Sequence, residues 1–475
     1  AQETYGESPR LTGALAKEYV AGLQGNHPRY VQVVATPKHF DAYGGATSRG
    51  HRSPTEVTLS WRDLHETFQP QFRAVLSPSN NSDRNVALST MCSYNTLCVV
   101  DFYNQSCPGP SHGVPACADS ALLTALLRDT WNFTGYVISD AGAIKFIETD
   151  HEWASSQPIA AAEALKAGAD MALGGGCSPS NSPPGCISFG ALGNATTMGL
   201  ITIGDIDQAL SRVLRARFRL GLMDPGGGIE NPYTAIKPSI VDCSEHRALA
   251  LQAARESVVL LENPIGFLPL LPKPGLRVAI VGPNANVKLF GNYNGDNANF
   301  TTILAGIRRV APLGGYALGC GISSNSTAGF AEAIAVAEAA DVVVMAIGID
   351  QSQEHETGTR NAIELPGVQA KLVQEIHSTG RPVVVVLAGG SAMAVPWVKN
   401  FATATVWAGY GGEEAGTAIA EVLFGLAAPS GKLPITFYAE TGQLPPFSSY
   451  DMARTPGRTF RYLTEQPLWA FGHGL

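Results

Sequence analysis

Charge is scarce in this chain of 475 residues: charged residues make up 15% of it, the net charge is −8, and no basic cluster interrupts the sequence. A nucleic acid or an anionic membrane surface would need such a cluster, so neither is an expected partner. Long apolar runs are also missing, and none approaches the roughly 18 residues of a membrane helix. Neither cysteines nor histidines show the two-residue spacing of a structural zinc site, so no metal is expected. The one Gly-x-Ser-x-Gly run, Gly109 to Gly113, follows the polar stretch 104–108 rather than an apolar strand, so no nucleophile elbow is expected and a serine hydrolase is disfavoured. The chain starts at Ala1 with neither a methionine nor a signal peptide, so it reads as a mature N-terminus or a cut sequence.

Cysteine and asparagine, by contrast, are placed suggestively. Eight cysteines are present, and Cys177 and Cys186 bracket a Ser/Pro/Asn/Gly loop in the manner of a disulfide. Cys92 and Cys117 read better as disulfide partners than as nucleophiles. Six Asn-x-Ser/Thr triplets occur, at Asn80, Asn104, Asn132, Asn194, Asn299 and Asn325. Together these features predict a secreted glycoprotein.

Apolar periodicity predicts helices over 11–23, 63–76, 120–129, 159–167 and 206–220, and strands over 31–36, 86–94, 135–140 and 169–173. Alternation of this kind makes a parallel sheet. A closed (β/α)8 barrel has eight strands, and only four are visible, so the first half reads as the back part of a barrel. A Pro/Gly-rich linker follows over 223–243. Beyond it, strands at 278–281, 340–346, 382–388 and 403–407 alternate with helices at 328–339, 366–378 and 413–424. That pattern predicts a doubly wound α/β domain. The expected division is therefore 1–222, 223–243 and 244–475.

Gly135-Tyr136-Val137-Ile138-Ser139-Asp140 is a short apolar run that ends on a carboxylate. At the carboxyl end of a barrel strand Asp140 would stand on the catalytic face; as an ordinary residue it would cap the next helix. Lys38, His39 and Tyr94 lie at other strand ends. In the second domain, Glu354 and Glu356 belong to a polar loop following the 340–346 strand. Two carboxylates are the minimum for glycosidic cleavage, and a Lys-His pair suits sugar hydroxyls. The competing reading is of solvated loop charges and a surface pair. Gly409-Tyr410-Gly411-Gly412-Glu413-Glu414 superficially resembles a dinucleotide turn, yet its two glutamates would repel a pyrophosphate. Its glycines suit a tight strand-to-helix turn instead.

Taken in order, these segments resemble glycoside hydrolase family 3, in particular its β-xylosidase branch. Gln2 to Glu7 is similar to QETPGED, Lys38-His39-Phe40 to KHF, Met91 to Asn95 to MCSYN, and Gly113 to Asp119 to GVPTCAD. Gly135 to Asp140 resembles GYVVSD, Trp407 to Glu413 WxGYPGQ, Pro429 to Pro434 PSGRLP, and Phe471 to Leu475 FGHGL. The resemblance implies Asp140 as nucleophile, with Lys38, His39, Tyr94 and Met91 in the sugar pocket. Gly348 to Arg360 matches GIDNTIEAEAMDR without a gap, which puts Glu354 on the acid/base position and leaves Glu356 as the fallback. It further implies a retaining exo-β-glycosidase acting on xylo-oligosaccharides without a cofactor. β-Glucosidase and α-L-arabinofuranosidase are the alternatives within the family.

Departures from the family pattern are Ala141 for Cys or Trp, Thr359 for Asp, Gly411 for Pro and Glu413 for Gln. Ala141 and Thr359 leave a non-catalytic carbohydrate-binding homologue as the competing class. Cys98 and Cys107, within the stretch 95–113, suggest a further disulfide. By the same resemblance, the opening barrel strands and a C-terminal fibronectin-like domain would lie outside this chain. Its oligomeric state is left open.

Overall fold

β-Branched runs become strands, and the amphipathic stretches between them become helices, in the computed structural model, which describes residues 3–44, 56–78, 86–100, 107, 113–181, 185–225, 230–271, 275–295, 299–355 and 360–475. Two compact units result. One is Ser8–Ile236 with Pro446–Met452; the other takes residues up to Glu7, Lys237–Pro445 and Ala453–Leu475.

The strands of the first unit are β1 (Glu56–Ser60), β2 (Ser89–Cys92), β3 (Thr96–Val100), β4 (Val114–Pro115), β5 (Tyr136–Ser139), β6 (Gly176–Ser178) and β7 (Gly185–Ile187). β2 and β5 pair in parallel, Met91 opposite Ile138 and Cys92 opposite Ser139. Phe40 bridges Cys92 on one side of this pair and Met171 bridges Ile138 on the other, both in parallel. Helices separate the successive segments, among them Pro70–Leu76, Ala121–Thr130 and Gln157–Ala167, and Ile203–Arg219 follows the last. This is the alternation of part of a (β/α)8 barrel. Gly135 is required where β5 begins, because a Cβ there would lie 2.4 Å from the Leu88 carbonyl oxygen.

Of two expected strands, 31–36 joins no ladder and 169–173 keeps a single bridge at Met171. Over 31–36, the Val31 N–H donates to the Arg219 carbonyl and the Gln32 N–H to that of Gln24. Helix ends thus take groups that a ladder would use, and pairing begins only at Phe40. Over 169–173, Asp170 and Met171 both donate to the Val137 carbonyl, and Gly174, Gly175 and Gly176 then turn the chain away with positive φ. A small sheet that periodicity does not predict joins β1 parallel to β3 and β4 antiparallel to β3. Disulfides link Cys92 to Cys117, Cys98 to Cys107, and Cys177 to Cys186 across the β6–β7 hairpin.

Asp170 locks the layers of this unit. Its buried carboxylate accepts the Val137 N–H at 2.8 Å, Arg128 at 2.6 Å and Arg212 at 2.8 Å. The arginines come from the helices Ala121–Thr130 and Ile203–Arg219, so one carboxylate ties β5 to both. Burial lowers the Arg128 pKa while the Asp170 charge opposes that shift.

In the second unit the strands are β8 (Val259–Glu262), β9 (Val278–Val281), β10 (Leu313–Ala317), β11 (Val342–Gly348), β12 (Val383–Ala388) and β13 (Ala404–Gly409). They form one sheet in the order β10-β9-β11-β12-β13-β8, parallel except for β8. Every residue of β11, β12 and β13 is buried, as expected of a parallel sheet covered on both faces. Alternation divides β11 between two cores. Val343, Met345 and Ile347 meet Phe330–Glu338 and Gln369–His377; Val342, Val344 and Ala346 meet Ile303–Val310 and Ala415–Leu423. The domain is doubly wound. Strand order reverses at β9, so the loops leaving β9 and β11 part at their carboxyl ends.

Asp170→Ala should destabilise the protein by about 3–5 kcal/mol, since two arginines and the Val137 N–H lose their acceptor together. Urea denaturation measures it; a loss under about 1 kcal/mol would mean that water or relaxation replaces the carboxylate.

Candidate active site

Each unit carries one cluster of polar groups at the carboxyl ends of its parallel strands. In the first unit the cluster is built on Asp140, the residue following β5. Its N–H donates to the Cys92 carbonyl at 3.0 Å, continuing the ladder, and its side chain is buried. Oδ1 accepts the Ala141 N–H at 2.7 Å, and Oδ2 lies 3.1 Å from His39 Nε2. An ionised carboxylate only accepts, so Nε2 carries the proton in this contact. Burial pushes the Asp140 pKa up; the His39 hydrogen bond and charge, the Ala141 N–H and Tyr94 outweigh it, and the net pKa falls below the ordinary carboxylate value.

Lys38 and His39 reach this place because Phe40 joins the strand array beside Cys92, its N–H donating to the Met91 carbonyl at 2.7 Å. Lys38 Nζ stands 3.5 Å from His39 Nε2. The Tyr94 hydroxyl donates to the Ala141 carbonyl at 2.9 Å. Met91, half-buried on β2, faces the strand array through its backbone. Asp140, His39, Lys38 and Tyr94 therefore belong to one constellation.

Residues that the motifs do not single out complete the surroundings. Tyr43 packs edge-on against both His39 and Tyr94, and Phe146 packs on Tyr94. His151 Nε2 lies 2.7 Å from the Tyr94 carbonyl, and burial lowers the His151 pKa. A neutral imidazole must then donate from Nε2 to that carbonyl. His151 lies 57 positions from Tyr94, too far for spacing to reveal.

In the second unit the cluster is built on Glu354. Asp350 starts the turn that carries it: Oδ1 accepts the Ser352 N–H at 2.9 Å and the Ser352 hydroxyl at 2.6 Å, and the Glu354 N–H returns to the Asp350 carbonyl at 3.0 Å. The Glu354 side chain is buried. Oε1 accepts the Gly390 N–H at 2.6 Å and Oε2 the Ser391 hydroxyl at 2.6 Å. Gly390 permits this approach, since a Cβ there would meet the Tyr410 ring at 3.0 Å. The Tyr410 hydroxyl is buried without a hydrogen bond of good geometry, although it lies within the field of Glu354. Burial first, then the Glu354 charge, drives its pKa far up. Arg360 Nη2 donates to Ser391 Oγ at 2.9 Å and to the Ala392 carbonyl at 2.8 Å. Glu356 and Thr359 lie outside the described residues.

The turn over 409–412 has positive φ at Gly409 and Gly412, and both of the glutamates that follow face one arginine of the same unit. Arg247 pairs closely with Glu414 and stands 3.5 Å from Glu413. Among the described residues, no group of three metal-ligating side chains is assembled.

Comparison with known proteins follows this division. Residues 1–216 match the glycosyl hydrolase family 3 N terminal domain and residues 258–475 the glycosyl hydrolase family 3 C-terminal domain. Probable beta-D-xylosidase 7 of Arabidopsis thaliana is 34% identical over all of this chain and 60% of its own length. Beta-xylosidase/alpha-L-arabinofuranosidase 1 of Medicago sativa subsp. varia is 33% identical over all of this chain and 59% of its own length. Among solved structures, the GH3 exo-beta-xylosidase XlnD in complex with a xylobiose aziridine probe superposes with a TM-score of 0.84 at 32% identity, over 98% of this chain and 58% of that one. A beta-glucosidase from Listeria innocua in complex with isofagomine gives 0.80 at 26% identity, over 98% and 62%. An α/β protein with polar clusters at its strand ends is thereby placed among known relatives. The chain belongs to glycosyl hydrolase family 3, and it spans about three fifths of the length of these relatives.

His39→Ala should raise the Asp140 pKa, because the largest of the contributions that lower it is removed. The carboxylate would then be lost at a higher pH as acid is added. A carbon-13 titration of the Asp140 carboxyl measures this; an unchanged midpoint would assign the low pKa to the Ala141 N–H and Tyr94 instead.

Proposed function

We propose that this protein is a retaining exo-β-glycosidase that removes terminal xylose from xylo-oligosaccharides. The observation that carries the reading is Asp140, a buried carboxylate kept charged at a strand end by His39 and the Ala141 N–H. A nucleophile for an anomeric carbon must be ionised before substrate arrives. Asp140 attacks that carbon while Glu354 protonates the departing oxygen; Glu354 then takes a proton from the water that releases the sugar. Lys38, His39, Tyr94 and Met91 line the sugar pocket, and the half-buried Met91 offers it an adaptable apolar wall. Glu356 is the reserve candidate for the acid/base. No metal or organic cofactor enters this chemistry.

The names of the β-xylosidase relatives support xylose as the sugar. Arabinose is the second reading, favoured by the bifunctional Medicago relative. Secretion is part of the proposal, supported by three disulfides and by the exposure of Asn132, Asn194, Asn299 and Asn325.

The stereochemistry of the first-formed product tests the reading. Proton NMR during hydrolysis of a nitrophenyl β-xyloside should show β-xylose first and the α-anomer only after mutarotation. Initial α-xylose, or turnover near wild type in Asp140→Ala, would sink it. Among nitrophenyl glycosides, xyloside should lead glucoside by about 10- to 200-fold in kcat/KM, the range expected for one hydroxymethyl group. A preference for glucoside would move the protein to the β-glucosidase alternative.

A further inference from the structure

The carboxyl group of Glu354 is held by donors whose direction is fixed. The Gly390 N–H can only donate, so Oε1 remains an acceptor whether or not the carboxyl is protonated. Arg360 likewise only donates, and its Nη2 gives hydrogen bonds to Ser391 Oγ at 2.9 Å and to the Ala392 carbonyl at 2.8 Å. Having accepted from Arg360, the Ser391 hydroxyl still has its own proton to give, and Oε2 of Glu354 lies 2.6 Å away. The chain of donors therefore runs one way, from Arg360 through Ser391 to Glu354. A hydrogen bond to a charged group is about twice as strong as one between neutral groups. Serine is free to rotate, and the guanidinium removes that freedom.

We propose that Ser391, oriented by Arg360, is a positioning residue for proton transfer, fixing the plane of the Glu354 carboxyl and the direction in which Oε2 exchanges its proton. The inference rests on the reading of Glu354 as the acid/base. In the first step the Oε2 proton passes to the glycosidic oxygen as that oxygen takes the electron pair of the breaking C–O bond and Asp140 bonds to the carbon. In the second, water bonds to the carbon, Asp140 leaves with its electron pair, and a water proton returns to Oε2. Ser391 keeps its own proton throughout, because Oε2 retains a lone pair for it in both states. Nothing in the spacing of Glu354 and Ser391, 37 residues apart, announces the pair.

Leaving-group dependence separates this role from a structural one. A dinitrophenolate departs without a proton, whereas the sugar of xylobiose needs one. In the full protein, Ser391→Ala should lower kcat/KM for xylobiose by about 10- to 100-fold and that for dinitrophenyl β-xyloside by less than about 3-fold. Ser391→Thr should restore most of the loss, and Arg360→Lys should show the same selectivity more weakly. Equal losses on both substrates, or no loss on xylobiose, would overturn the role of Ser391. Glu354→Ala serves as the reference. If it shows the leaving-group split and Ser391→Ala does not, only the present inference fails. If it loses equally on both substrates, the acid/base reading itself fails, and the inference with it.

Discussion

A carboxylate withdrawn from water stays charged only where donors converge on it, and Asp140 meets that condition through strand alignment. Its Oδ1 takes the N–H of the next residue, and its Oδ2 takes a histidine that lies about a hundred positions earlier in the chain. His39 is brought there because Phe40 bridges Cys92 and Cys92 pairs with Ser139. The parallel register thus decides the electrostatics. Asp170 keeps that register, since the same carboxylate that pairs with two arginines holds the backbone of β5.

The second unit reaches a comparable end by another route. The buried strands are apolar but for Thr405, so the charged groups of the site gather in the loops at their carboxyl ends. Loops from three neighbouring strands meet at Glu354: its own after β11, Gly390 and Ser391 after β12, and Tyr410 after β13. Small residues make the meeting possible, Gly390 above all. A side chain at that position would press on Tyr410 and displace the backbone N–H that Oε1 needs.

Much of this was legible in the residues. β11 and β12 are uninterrupted apolar runs and β13 is broken only by Thr405, which is nearly all that a buried parallel sheet requires of its strands. Asp140 was visible as a charge ending such a run, and Glu354 as a polar residue after one. Harder to read were segments whose partners are not periodic. Val31 and Gln32 look like a strand, but helix ends take their N–H groups. β10 contains Gly314 and Gly315 and forms a strand only because β9 lies beside it. Tyr43, His151 and Ser391 left no signal, since each matters through a contact across the fold rather than through a motif.

As the proposed nucleophile, Asp140 would form a covalent bond to the sugar during turnover. A 2-deoxy-2-fluoro β-xyloside with a dinitrophenyl leaving group slows both steps but leaves formation of the bond faster than its hydrolysis. Intact-mass spectrometry should then show one added fluoroxylosyl unit, and peptide mapping should place it on Asp140. A label on another residue, or none while the dinitrophenol is still released, would contradict the account.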